Sequence, residues 1–259
     1  MNIEKITRIS PKAVAVLLLV CGTLSACKKD DPEPAPVVAD PQLRVAVQPY
    51  FGADVLYLDS TYVTDEGYLV QFTDLKFYAT NWKNGTVTLT DAALFNYRQQ
   101  GTDFIRAAKS PLDFTEVHGN LGVGADNHAD PSAFPNDSPL NISNTDGLHW
   151  GWNPGYIFIA VEARADTLPD ANENFDHTVV LHVGTDAFLQ TVDFSDITWN
   201  HVSAQLYAAS LKLDMQVFLA NGSQTIDLKE EYITHSAAGQ EALSLKAIQN
   251  FKAALSWMP

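Results

Sequence analysis

Cysteine is nearly absent: the 259-residue chain has two, Cys21 and Cys27, both near its N-terminus. A disulfide framework, a zinc ribbon and a thiol nucleophile are thereby excluded. Positive charge is scarce as well, with 16 Lys and Arg against 31 Asp and Glu, a formal charge of −15. Such a surface repels phosphate backbones and anionic lipid, so neither nucleic acid nor a charged membrane is an expected partner. No apolar run reaches the ~20 residues that a membrane-spanning helix needs. Gly-x-Ser-x-Gly, His-Glu-x-x-His and a P-loop are all missing, and the chain is expected not to be an enzyme. What is present is apolar material, 46% of the residues, with 10% aromatic. That suffices for a real core and excludes a wholly disordered chain.

Residues 1–27 have the anatomy of an export signal. Lys5, Arg8 and Lys12 form a basic start, Ala13 to Val20 an apolar core, and Ser25-Ala26 a small-residue cleavage site. Leu24-Ser25-Ala26-Cys27 has the form of a bacterial lipobox, in which Cys27 is lipidated and becomes the first residue of the mature protein. Residues 28–42, with Pro32, Pro34 and Pro36, read as an extended tether. The expectation is a cell-envelope lipoprotein, periplasmic or outward-facing on the outer membrane, that meets the membrane only through its lipid.

From residue 43 to 259 the pattern is that of one all-β domain: a single antiparallel β-sandwich with long loops and a C-terminal helix. Leu43, Val45 and Val47 share one strand face, as do Tyr68, Val70 and Phe72. Tyr156 to Val161 is apolar on both faces and reads as a central strand. Val179, Leu181 and Val183 alternate, with His182 pointing the other way, and Leu211, Leu213, Met215 and Val217 form another alternating face. Asn84-Gly85, Pro154-Gly155 and Asn221-Gly222 supply turns. Leu243, Ala247, Ile248, Phe251 and Leu255 recur at helical spacing, with Ser236 as the expected cap. Residues 111–147 show little periodicity and many Asp, Asn, Pro and Gly, as a long functional loop would.

That loop leads into the densest aromatic cluster, His149-Trp150-Gly151-Trp152-Asn153-Pro154-Gly155-Tyr156. In an extended segment Trp150 and Trp152 share one face, with His149 and Gly151 on the other. Taken singly, the Trp pair reads as core, His128 as a loop hydrogen-bonder and His182 as a satisfied core imidazole.

Together these segments resemble the MbnP family, the methanobactin-associated partner proteins related to the MopE and CorA copper proteins. The resemblance rests on Asn127-His128-Ala129-Asp130-Pro131, Ser138-Pro139-Leu140-Asn141 and Trp150-Gly151-Trp152-Asn153-Pro154-Gly155-Tyr156-Ile157-Phe158. Leu75-Lys76-Phe77-Tyr78, Leu181-His182-Val183-Gly184 and Asn250-Phe251 in the C-terminal helix add to it. It implies a copper-binding β-sandwich, with copper as Cu(I) held by two imidazoles and a kynurenine made from Trp. The resemblance further implies a dihaem partner enzyme of the MbnH type that opens the indole oxidatively. Carried onto this chain, Trp150 is the first choice for modification and Trp152 the second, with His182 and His128 the leading imidazoles. His149 stands where many relatives have an apolar residue, and is a third ligand, a replacement for His128 or a surface histidine. The Cys that some relatives have beyond the His-x-Gly strand is missing.

Two other readings stand beside this one. Trp150, Trp152 and Tyr156 could form a carbohydrate-stacking platform, which needs exposed rings and no metal. Asp126, Asp130 and Asp137 could hold a structural calcium, although their spacing is not that of an EF-hand loop.

Overall fold

A computed structural model describes residues 39–127, 130–151, 155–168 and 172–259. His128, Trp152 and Cys27, all singled out above, lie outside the described residues, as do the export signal and most of the tether. In chain order the strands are β1 (Gln42–Phe51), β2 (Asp54–Val55), β3 (Thr61–Val63), β4 (Leu69–Asn84), β5 (Val87–Asn96), β6 (Asp103–Ala107), β7 (Val117–Leu121) and β8 (Ile157–Asp166). They continue with β9 (His177–Gly184), β10 (Gln190–Phe194), β11 (Asn200–Ser203), β12 (Leu206–Asp214), β13 (Ala220–Asn221), β14 (Gln224–Thr225), β15 (Ile233–Thr234) and β16 (Leu255–Trp257). Helices are α1 (Tyr97–Gln100), α2 (Met215–Leu219) and α3 (Glu241–Ala254).

The fold is an all-β sandwich. One sheet runs β11-β12-β1-β2, with β16 on β12 and β6 on β1; the other runs β10-β7-β4-β8-β9-β15, with β3 and β5 on β4. Alternation places Leu43, Val45 and Val47 of β1 against Val70, Phe72, Ile159, Val161, Val179, Leu181 and Val183 of the facing sheet. Helix α3 packs against β9, β10, β12 and α2. Its Phe251 meets Phe77 at 5.5 Å and Phe218 at 5.9 Å between ring centroids. Burying such a side chain contributes about 1.5–3 kcal/mol. Among the described residues, no helix is long and apolar enough to cross a membrane.

Four details depart from the sequence reading. The pairings β1–β12 and β9–β15 are parallel, so the sheets are mixed rather than purely antiparallel. Parallel partners need long crossovers, and the chain between Phe51 and Leu206, and between Gly184 and Ile233, supplies them. Met215 and Val217 do not extend β12, because the Asp214 carboxylate accepts the N–H groups of Gln216 and Val217 and starts α2 instead. Ser236 does not cap α3. Gln240 occupies that position, Ser236 donates its hydroxyl to Ser244, and Leu255 has already passed into β16, opposite Leu213. Within 111–147, Val117–Leu121 is a strand, inserted between β10 and β4. Its His-Gly-Asn centre hides the periodicity.

The outer face of the second sheet has its own core. Tyr78, Leu94, Val123, Leu140, Leu148, Tyr156 and Phe158 pack together there. Short 3-10 turns at Ala125–Asn127, Pro131–Ala133 and Ile142–Asn144 lie in the chain between β7 and β8. Tyr78 and Tyr156 meet edge-on at 5.7 Å and donate their hydroxyls to the carbonyls of Pro139 and Leu140. Burial pushes the Tyr156 phenol up to about 12, with a smaller contribution from the Asp130 charge, and pushes Tyr78 up further. These phenols keep their protons in the folded state after the unfolded chain has lost them near pH ~10. Their contribution is therefore whole below pH ~10 and lost as pH rises above it. Urea midpoints should fall above pH ~10, and fall less steeply when Tyr78→Phe and Tyr156→Phe are combined; identical alkaline slopes would contradict this.

Candidate functional site

The register of the second sheet assembles a polar row beside this outer core. Lys76 of β4 pairs with Ala160 of β8, and Ala160 with His182 of β9, so all three project from one face. One register step away Asp74 opposes Glu162. On the far side of β9, β15 runs parallel with Thr234 opposite Leu181, and its next residue, His235, comes up beside His182. The two imidazoles stand 5.4 Å apart between ring centroids, at 83° to one another. Two histidines separated by more than fifty positions in sequence are thus brought together by strand pairing.

Each is positioned by neighbours. His182 Nε2 lies 2.9 Å from Glu162 Oε1. This hydrogen bond, with further help from the charges of His182 and Lys76, holds the Glu162 carboxyl below its usual range. Burial alone would lower the Lys76 ammonium, but Asp74 at 2.9 Å and Asp146 at 3.1 Å outweigh it and the net shift is upward. Asp146 in turn accepts from Asn96 and Gln99, anchoring the loop before the aromatic cluster. His235 donates its backbone N–H to Gln240 Oε1 at 2.8 Å, and Ser236 donates its own to Thr234 Oγ1 at 3.2 Å. Thr234 Oγ1 and Ser244 Oγ, both buried, lie 2.7 Å apart. Partial burial, then the charge of His182, keeps the His235 imidazole below its usual range.

Trp150 completes the cluster. A Cβ built on Gly184 would lie 2.8 Å from Trp150 Cζ3 and 3.0 Å from Cη2, so the outer edge of the six-membered ring rests where that side chain would be. Gly184 is two residues beyond His182 and therefore on the same face. The Gly184 N–H donates to Ser236 Oγ at 3.2 Å, closing the corner next to His235. The backbone of Trp150 is fixed by its N–H, which donates to the Gly155 carbonyl at 2.9 Å. The bridge between His149 and Tyr156 forms the neighbouring rung.

Of the residues singled out from sequence, the structure places His182 and the Trp150 ring on one face of β9, the ring at Gly184 two residues beyond His182. His149 turns elsewhere: its ring lies edge-on to Tyr156 at 4.9 Å, and Nδ1 accepts the Gly151 N–H at 2.9 Å. Burial lowers its imidazole from the usual range. Tyr156, at 1% exposure, cannot serve a stacking platform. Asp130 spends its carboxylate on the backbone and hydroxyl of Ser132, capping a short turn. Among the described residues, no three His, Cys, Asp or Glu side chains form a ready metal cage. His235 was missed from sequence, since Ile233–Thr234 is too short to show a strand period.

The family model for MbnP matches residues 40–237, well over half of the chain. The chain belongs to the MbnP family. Membership associates it with the methanobactin system and with copper. Among solved structures, MbnP from Methylosinus trichosporium is similar over 76% of this chain and 82% of its own, at 15% identity and a TM-score of 0.47. That likeness is too slight to transfer any residue. Comparison with curated proteins gives no match.

In this MbnP-family chain Gly184 has no room for added volume, because a Cβ there would also fall 2.3 Å from the Tyr156 carbonyl. Gly184→Ala should cost about 1–3 kcal/mol and displace the Trp150 ring. Urea unfolding should register the loss and near-ultraviolet circular dichroism the altered indole environment. An unchanged spectrum would show that the ring does not depend on this glycine.

Proposed function

We propose that the protein is a non-enzymatic, lipid-anchored copper-binding protein of the cell envelope, acting in copper uptake, storage or handling. The observation that carries this reading is the seating of the Trp150 ring on Gly184, on the face from which His182 projects. Imidazole nitrogens suit copper, and a site free of thiolates persists in an oxidising compartment. An indole is a poor ligand, and among the described residues no three His, Cys, Asp or Glu side chains gather. Oxidative cleavage of the C2–C3 bond, a four-electron oxidation whose electrons pass to the dihaem partner, places one oxygen on each carbon. Hydrolysis of the C2–N1 bond then releases C2 as formate, so the benzo ring stays on its stem and the indole nitrogen becomes an aniline amine, the missing donor. Both bonds broken, C2–C3 and C2–N1, lie in the five-membered ring, whereas the contact with Gly184 is made by the far edge of the six-membered one. The ring can therefore keep its seat through the modification.

His182 is one imidazole of this site, and copper as Cu(I) is its cargo. An MbnH-type dihaem protein is the partner that supplies the oxidising equivalents, since the side chains described around Trp150 are not oxidants. Membrane attachment is through lipid on Cys27. The test uses protein purified from its native host. Peptide mass mapping across Gly147 to Arg164 should show the gain of one oxygen and loss of one carbon at Trp150, and elemental analysis should find copper. Protein from a host without the dihaem partner should keep an intact indole. His182→Ala should remain folded and lose tight Cu(I) binding. Copper-loaded native protein with Trp150 and Trp152 both unmodified would end the kynurenine mechanism; wild-type Cu(I) affinity in His182→Ala would end the assignment of the site.

A further inference from the structure

The copper reading leaves the second imidazole open, and it leaves unexplained why a glutamate sits on the outer-face histidine. The second sheet answers both. His235 reaches His182 by continuing the β9–β15 register, and four hydrogen bonds around Thr234, Ser236, Gln240 and Ser244 fix the turn that carries it. Metal–nitrogen bonds of about 2.0–2.1 Å put two imidazoles bound to one ion about 5–6 Å apart between centroids, at tetrahedral to trigonal angles. The observed 5.4 Å is within that range without any movement of the backbone. His235 is also exposed, which leaves a path for an ion to enter, whereas His182 is half-buried behind it. His149, in contrast, already spends Nδ1 on the Gly151 N–H and packs its ring against Tyr156.

Glu162 then has a defined task. A carboxylate only accepts hydrogen bonds, so the contact from Glu162 Oε1 to His182 Nε2 places the ring proton on Nε2. The lone pair of the neutral ring is left on Nδ1. Histidines that bind metals commonly tie their other nitrogen to a carboxylate in this way. Lys76, two residues from Asp74 and bonded to it, stands on the same sheet face.

We propose that His182 and His235 are the imidazole pair of the copper site, with Glu162 as the positioning residue that presents Nδ1 of His182 to the metal. This rests on the copper reading and assigns residues within it.

The experiment measures Cu(I) affinity of the full mature chain by competition with a chromophoric chelator, using wild type and variants produced together with the dihaem partner and shown by mass to carry the modified residue 150. His182→Ala and His235→Ala should each weaken binding by about 100-fold or more, while His128→Ala and His149→Ala stay within about threefold. Glu162→Ala should weaken it by about 10–100-fold, and Glu162→Gln should restore it, because an amide oxygen still accepts from Nε2–H. Nitrogen-15 spectra of the metal-free protein provide a readout independent of copper. They should show His182 as the Nε2–H tautomer in the wild type and in Glu162→Gln, and a mixture in Glu162→Ala. Loss of affinity in His182→Ala with wild-type affinity in His235→Ala would overturn the pairing and leave the copper reading standing. Wild-type affinity in both would overturn the copper site itself. An Nδ1–H tautomer in the wild type would overturn the role of Glu162.

Discussion

Everything at this site depends on strand register in the β4–β8–β9–β15 half of the second sheet. Because side chains alternate, a shift of one residue in β9 would turn His182 into the main core and its apolar neighbours outward; the burial of Val179, Leu181 and Val183 forbids it. With β9 fixed, Lys76, Ala160 and His182 must form one row, and the parallel pairing of Ile233 and Thr234 must carry His235 to its end. The chemistry-bearing residues are held by the hydrophobic pattern of the strands that present them. No local motif is needed to place them.

The same sheet serves two purposes on its two faces. Its inner face packs against the first sheet and α3, in the larger of the two buried clusters. Its outer face is divided between an aromatic core around Tyr78, Tyr156 and Phe158 and the polar row beside it. Trp150 stands at the boundary, packed against the outer core while its ring edge rests on Gly184. Burying charged groups along such a boundary is costly unless they are paired. Here Lys76 is shared between Asp74 and Asp146, and His182 takes Glu162. The outcome is a half-buried edge of the sheet where the charges are paired and two imidazoles stand side by side, 5.4 Å apart.

What could be read from the sequence follows from the range of each interaction. Alternation in Val179–Val183 already turned His182 away from the core, and the apolar run through Val161 already marked β8 as central; both are local patterns, and the structure bears them out. The end of β12 was misread because the Asp214 side chain bonds two backbone N–H groups ahead of it and overrides the alternation through Val217. Ser236 looked like a helix cap by composition, yet its hydroxyl serves Ser244 and the N–H of Gly184. His235 was invisible for a different reason. It owes its place to a two-residue parallel strand and a long crossover, and no window of sequence contains both members of that pair.

The most direct measurement is a crystal structure of the metal-loaded protein with anomalous scattering collected at the copper edge. The dominant peak should lie between His182 and His235, beside the ring of residue 150, with Glu162 still bonded to His182 Nε2. A dominant peak elsewhere, such as at the exposed His118–Asp193 pair, with none between His182 and His235, would contradict it.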